Sequence, residues 1–77
     1  TIADRNILVA MAERFRGRAV GIDAIAAAVG ENAQTIKLVI EPYLVRSGLV
    51  NRTLRGRELT DAGKLIAALT LAGGIEY

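Results

Sequence analysis

His and Cys are both absent from the 77 residues, which removes the common metal-ligand sets and the Cys–His and Ser–His nucleophile arrangements. The eight acids are scattered from Asp4 to Glu76, and no two make a general acid–base pair in a chain too small for a deep cleft. Arginine is the residue type left with chemistry to do. Arg46, Arg52, Arg55 and Arg57 fall in one stretch that holds no acid until Glu58. A guanidinium offers a planar fork of donors that matches a phosphate group, so this stretch points to a phosphate-bearing partner. A second group, Arg14, Arg16 and Arg18, surrounds Gly17; a solvated surface accounts for it as well as an anion contact does.

Composition narrows the frame for these residues. A domain of this length buries only about 60% of its unfolded surface, so a single domain over residues 1–77 is expected. The apolar share is 52%, much of it Ala, with 4% aromatic. That mix suits closely packed helices and argues against disorder. No apolar run reaches the roughly 18 residues of a membrane span, and the absence of Cys makes a reducing, cytoplasmic setting the default. Thr1 in place of an initiating Met fits a piece of a larger protein. The net charge of +2 is uninformative beside its distribution.

The elements that must position the arginines follow from apolar spacing. Ile7, Leu8, Met11, Ala12 and Phe15 predict a first helix, with Asp4 near its start, Arg14 and Arg16 near its end, and Gly17 as its stop. After an extended Ala19-Val20, a second helix opens at Gly21 and ends at Gly30, with Ile22, Ile25 and Val29 on one face. Asn32 is placed to cap a third helix whose stripe is Ile36, Val39, Ile40, Tyr43 and Leu44. Pro42 falls inside that stripe, and a kink is expected near Leu38. Two extended runs, 49–54 and 57–60, surround Arg55-Gly56 and read as a β-hairpin with Gly56 at positive φ. Thr60 can cap a fourth helix bearing Ala62, Leu65, Ile66 and Leu69. Gly73-Gly74 closes that helix, and a frayed tail follows at 75–77. Three helices, a hairpin and a last helix form the winged helix-turn-helix plan, a mainly α fold with a small β-wing.

On that plan Arg52, Arg55 and Arg57 lie on the wing, with Arg55 and Arg57 at its tip and Gly56 between them. The same arginines would also protect a soluble hairpin from edge pairing. Thr53 offers a hydroxyl to phosphate or is an ordinary strand residue. Lys37 and Arg46 lie off the apolar stripe of the third helix, whose outer face also offers Gln34 and Glu41 and is interrupted by Leu38 and Val45. That face suits phosphate contact or solvation better than base reading. Tyr43 belongs to the core stripe; Leu38 and Val45 are either an exposed apolar strip or covered by the wing or the last helix.

The chain also resembles the C-terminal winged-helix domain of RuvB, the hexameric ATPase that drives branch migration of Holliday junctions. The likeness runs from Asp4-Arg5 to Thr60. It is carried by Val20-Gly21-Ile22-Asp23, by residues 25–31, by Thr35-Ile36, by Glu41-Pro42-Tyr43-Leu44 with Gly48-Leu49, and by Arg52-Thr53 with Arg55-Gly56-Arg57. The chain departs from the family at Leu54, where Pro is usual, and at Lys37 and Leu38, where acids are usual. It departs again after Thr60, where the family's Tyr and His-Leu-Gly ending is missing and Asp61-Ala62-Gly63 stands instead.

The resemblance implies a C-terminal piece of a larger AAA+ motor, used in DNA recombination and repair. Duplex or four-way-junction DNA would be held through backbone contacts by Arg52, Thr53, Arg55, Gly56, Arg57, Lys37 and Arg46. Catalysis is not expected of this chain, which holds no Gly-rich loop followed by Lys-Ser/Thr. ATP and Mg would belong to the parent motor, whose neighbouring ATPase domains are partners of this one, and RuvA is expected to bind a different domain. Two other readings stay open: a winged-helix protein-interaction module, and a stand-alone dimeric transcription regulator.

Overall fold

The computed structural model describes residues 2–73; the expected tail at 75–77, and Gly74 with it, lie outside them. Helix α1 is Ile2–Glu13 and α2 is Ile22–Val29. The third helix, α3, covers residues 33–46 in three pieces: Ala33–Thr35, a π-helical turn Ile36–Ile40, and Glu41–Arg46. A two-stranded antiparallel hairpin follows, β1 Val50–Thr53 and β2 Gly56–Leu59, and then α4, Asp61–Leu71. The expected winged-helix plan is the observed one.

Local chemistry accounts for the boundaries. The Asn32 carboxamide oxygen accepts from the Gln34 and Thr35 amides at 2.8 and 3.2 Å, starting α3 as its sequence predicts. Thr60 caps α4 by accepting from the Gly63 amide at 3.0 Å while its hydroxyl donates to the Gly48 carbonyl at 2.6 Å. Helix α1 stops at Glu13, short of the expected Gly17, because Arg16 and Gly17 both take left-handed backbone. Arg14 and Arg16 therefore lie in the turn after the helix.

Pro42 reshapes α3. It cannot donate to the Leu38 carbonyl, and its ring would press on that carbonyl in an α-helix. The strand of backbone relieves this by widening: the Glu41 amide donates to the Ile36 carbonyl, five residues back. Pro42 then sits near the start of the Glu41–Arg46 piece, where a missing donor is harmless. The disturbance expected near Leu38 is thus a π turn, and it advances the buried face by one residue. Ile36, Ile40, Glu41 and Leu44 face inward, whereas Val39 and Tyr43, expected in the core, are exposed. Leu38 is also uncovered, and Val45 is half-buried against the core.

The core is one cluster. Ile7, Leu8 and Met11 of α1 meet Ile25 of α2, Ile36, Ile40 and Leu44 of α3, Val50 and Leu59 of the hairpin, and Ala67 of α4. Helix α4 turns in Gly63 and Ala67, with Ile66 packed against the cluster. Leu65 and Leu69, part of the apolar spacing that predicts this helix, are exposed, because Gly63 must face the α3–β1 turn. A Cβ at Gly63 would fall on the Leu49 carbonyl oxygen, and the Thr60 amide donates to that same oxygen at 3.1 Å.

Two effects oppose each other in Gly63→Ala. Alanine gains about 1 kcal/mol in helix propensity, and forcing the overlap costs about 1–3 kcal/mol. The second wins here because the obstacle is backbone. Urea unfolding is expected to show Gly63→Ala less stable than wild type, against the gain expected at an unobstructed helix position.

Candidate nucleic-acid interface

The wing is pinned at both strands and free at its tip. Its register pairs Val50 with Leu59, Asn51 with Glu58, Arg52 with Arg57 and Thr53 with Gly56. The connecting residues are Leu54 and Arg55, one step earlier than the Arg55-Gly56 turn expected from the sequence. Thr53 staples the turn: its hydroxyl donates to the Gly56 carbonyl at 3.0 Å and accepts from the Arg55 amide at 3.1 Å. Leu54 is fully exposed at the tip, and Arg55 beside it is exposed.

Gly56 keeps its positive φ, +135°, but as the first residue of β2. Its role is close approach. A Cβ there would come within 2.5 Å of the Val20 carbonyl oxygen. Val20 and Arg57 exchange backbone hydrogen bonds at 2.8 and 2.7 Å, so the 19–20 segment lies against the outer edge of β2.

Arg57 is therefore not at the tip. It lies within β2, directly opposite Arg52, and both reach Glu41 of α3. The Arg52 Nε donates to Glu41 Oε1 at 2.6 Å, and the Arg57 Nε and Nη2 donate to Oε2 at 3.1 and 3.0 Å. Side-chain exposure is 3% for Glu41, 24% for Arg57 and 57% for Arg52. Like charges directly opposite on a strand pair repel, and the shared carboxylate turns that repulsion into a three-residue bridge. A 3.6-residue period places Glu41 on the outer face of α3. The π turn carries it inside. Burial by itself would push the Glu41 carboxyl up; hydrogen bonds from Arg52 and then Arg57, with the charges of both, outweigh it and hold the group below the usual carboxylate range.

The remaining residues sort by position. Lys37 and Arg57 line one cleft with Gln34, Gly21, Ile22 and Asp23, between the starts of α2 and α3 and the wing. Arg46, in the last turn of α3, is exposed and not part of that cleft. The structure thus brings Lys37 to the wing's base, ties Arg52 and Arg57 together through a residue that the 3.6-residue stripe placed outside, and leaves Arg55 at the tip. The missed signal was the Glu-Pro pair itself, since a proline inside an apolar stripe shifts the stripe.

This geometry has relatives. The family model for the RuvB C-terminal winged helix domain matches residues 1–67. The chain belongs to that family. The match extends past Thr60, so the first turns of α4 are part of the family pattern despite the divergent residues there. The chain is 52% identical over 59 residues to the Holliday junction branch migration complex subunit RuvB of Microcystis aeruginosa, covering 77% of this chain and 16% of that protein. The solved structure of the Thermotoga maritima RuvB Holliday junction branch migration motor superposes with a TM-score of 0.76 at 37% identity, over 97% of this chain and 24% of that one. The chain therefore spans a sixth to a quarter of the RuvB proteins it resembles. No helix among the described residues is long and apolar enough to cross a membrane.

The bridge makes a pH-dependent contribution to stability. Because the Glu41 carboxyl is held below its unfolded value, the stability it adds is fully present above the ordinary carboxylate range and is lost as pH falls through the lowered value. Glu41→Ala is expected to destabilise the domain by about 2–3 kcal/mol at neutral pH. That is under the roughly 3–5 kcal/mol of a fully buried pair because Arg52 stays half in solvent. Thermal unfolding of wild type and Glu41→Gln from pH 7 to pH 3 should converge toward the acid end.

Proposed function

We propose that this domain is the DNA-gripping module of a RuvB-type branch-migration motor and that its wing holds the nucleic-acid backbone without reading bases. The observation that carries the reading is the wing itself: a hairpin pinned to α3 by Glu41 and to the 19–20 segment by backbone bonds, presenting Arg55 at its tip. Arg52 supports it. Glu41 holds its Nε, and its two Nη groups form no hydrogen bond among the described residues. They are pre-oriented donors for a phosphate oxygen. Lys37 adds a cation in the adjoining cleft.

Base reading has little to work with. The outer face of α3 presents Gln34 and Lys37, then Leu38, Val39 and Tyr43, all exposed. Apolar side chains there discriminate poorly between base pairs. A motor that passes every sequence needs contacts to backbone alone. Nucleotide chemistry falls to other domains of the parent protein, since no Gly-rich loop followed by Lys-Ser/Thr lies in this chain. Thr53 contributes as the residue that shapes the turn, and Arg46 is a peripheral contact at most.

Salt-dependent binding to a mobile four-way junction and to linear duplexes of unrelated sequence tests the reading. Wild type is expected to bind all of them weakly, on the order of 10⁻⁴–10⁻⁶ M at physiological salt, with little preference. Arg55→Ala should lower the slope of log K against log salt by about 0.9, the value of one phosphate contact on duplex DNA. No binding at low salt, or an unchanged slope, refutes the wing mechanism.

A further inference from the structure

We infer that the turn between α1 and α2 is a second phosphate-binding surface, made by Arg14, Arg16, Arg18 and Lys64, which holds the DNA backbone at the foot of the wing while Arg55 holds it at the tip. The inference rests on the reading of the wing as a DNA grip and adds a site to it.

Three arginines of this turn and a lysine from a distant part of the chain border the site. Arg14, Arg16 and Arg18 line one shallow concavity with Phe15, Ala19 and Val20. Lys64 of α4 lies beside the turn, its side chain so close to Gly17 that a Cβ on that glycine would come within 3.3 Å of the Lys64 Cε. Among the described residues no carboxylate forms an ion pair with any of the four. The wing differs in this respect, because there Glu41 offsets one charge of the Arg52–Arg57 pair. The turn thus carries cations that no carboxylate among the described residues holds in an ion pair, and a polyanion is the partner their charge fits.

The backbone of this turn is unusual as well. Arg16 has φ +55°, the only non-glycine residue at positive φ among those described. That conformation costs an L-residue roughly 1–2 kcal/mol that Gly or Asn would largely avoid. The turn is nonetheless well held, with the Gly17 amide donating to the Met11 carbonyl at 2.8 Å and the Arg18 amide to the Phe15 carbonyl at 2.9 Å. A long cationic side chain thus occupies a position where backbone preference alone would select a small residue, and the rigid turn aims it outward.

Position links the turn to the wing. Val20 pairs with Arg57 in antiparallel sense, so residues 18–20 run beside β2 with Arg18 toward the Leu59 end, away from Leu54 and Arg55. At about 3.3 Å per strand residue the separation of Arg18 from the tip is roughly 13 Å. That is about the axial rise of four phosphates on one DNA strand, at about 3.4 Å each. A duplex lying along the hairpin meets both ends of this line.

The test compares salt-dependent binding of wild type, Arg16→Gly/Arg18→Ala and Arg55→Ala to one linear duplex. Glycine at position 16 removes the charge while keeping the left-handed backbone. The double variant is expected to lose up to about 1.8 units of log–log salt slope, near 0.9 per contact, equally on duplexes of different sequence. An unchanged slope with a native circular-dichroism melt overturns the second surface, whatever Arg55→Ala does. Arg55→Ala reports separately on the wing, so either site can fail alone. Should the double variant not fold, Arg18→Glu, a single exchange of an exposed side chain, decides: a loss of affinity of tenfold or more supports the site, and wild-type affinity refutes it.

Discussion

The Glu41 carboxylate is the constraint from which the wing's geometry follows. A buried acid survives only when its charge is met, and here two guanidiniums from facing strands meet it. The two arginines need the acid as much as it needs them, since their places in the strand register would otherwise set like charges against each other. The hairpin is too short to be stable as an isolated pair of strands. Its attachment to α3 through this bridge, and to the core through Val50 and Leu59, makes it a fixed projection of the domain.

Why Glu41 is available for this role goes back to its neighbour. Pro42 forces α3 to widen over one turn, and the widening rotates position 41 from the outer face to the inner one. Two hydrophobic residues, Val39 and Tyr43, are turned out in exchange. Exposing them gives up apolar burial, and what the fold gains is a buried anchor at the level of the wing. A second set of contacts works by absence of side chain: Gly56 lets Val20 approach β2, and Gly63 lets α4 rest on the Leu49 carbonyl. Charge on one side and close backbone packing on the other fix the hairpin from both edges.

Much of this was legible in the sequence, and the errors cluster where one local rule was carried through a residue that breaks it. Helix order, the Asn32 and Thr60 caps, the hairpin and its positive-φ glycine follow from turn and capping chemistry that needs no tertiary knowledge. Val39, Tyr43 and Glu41 were misplaced because a 3.6-residue period was continued across Pro42. Leu65 and Leu69 carry the apolar spacing of the last helix yet are exposed, because packing selects the glycine and alanine that allow close approach. The division of labour among Arg52, Arg55 and Arg57 was beyond sequence reasoning. It depends on register, and moving the turn by one residue to Leu54-Arg55 takes Arg57 from the tip into the strand. The convergence of Lys64 with Arg14, Arg16 and Arg18 was equally hidden, since more than forty positions separate the two parts of the chain.

The three-residue bridge also limits how this sequence can drift. Glu41, Arg52 and Arg57 are eleven and sixteen positions apart in the chain, yet they form a single electrostatic unit. Replacing the acid leaves the partly buried Arg57 without its partner, and replacing one arginine leaves a buried anion with half its partners. A change at one member of the trio is therefore felt by the other two. The Arg55 side chain carries no such tie, so one short hairpin holds both a fixed frame and an exposed, uncommitted cation at its tip.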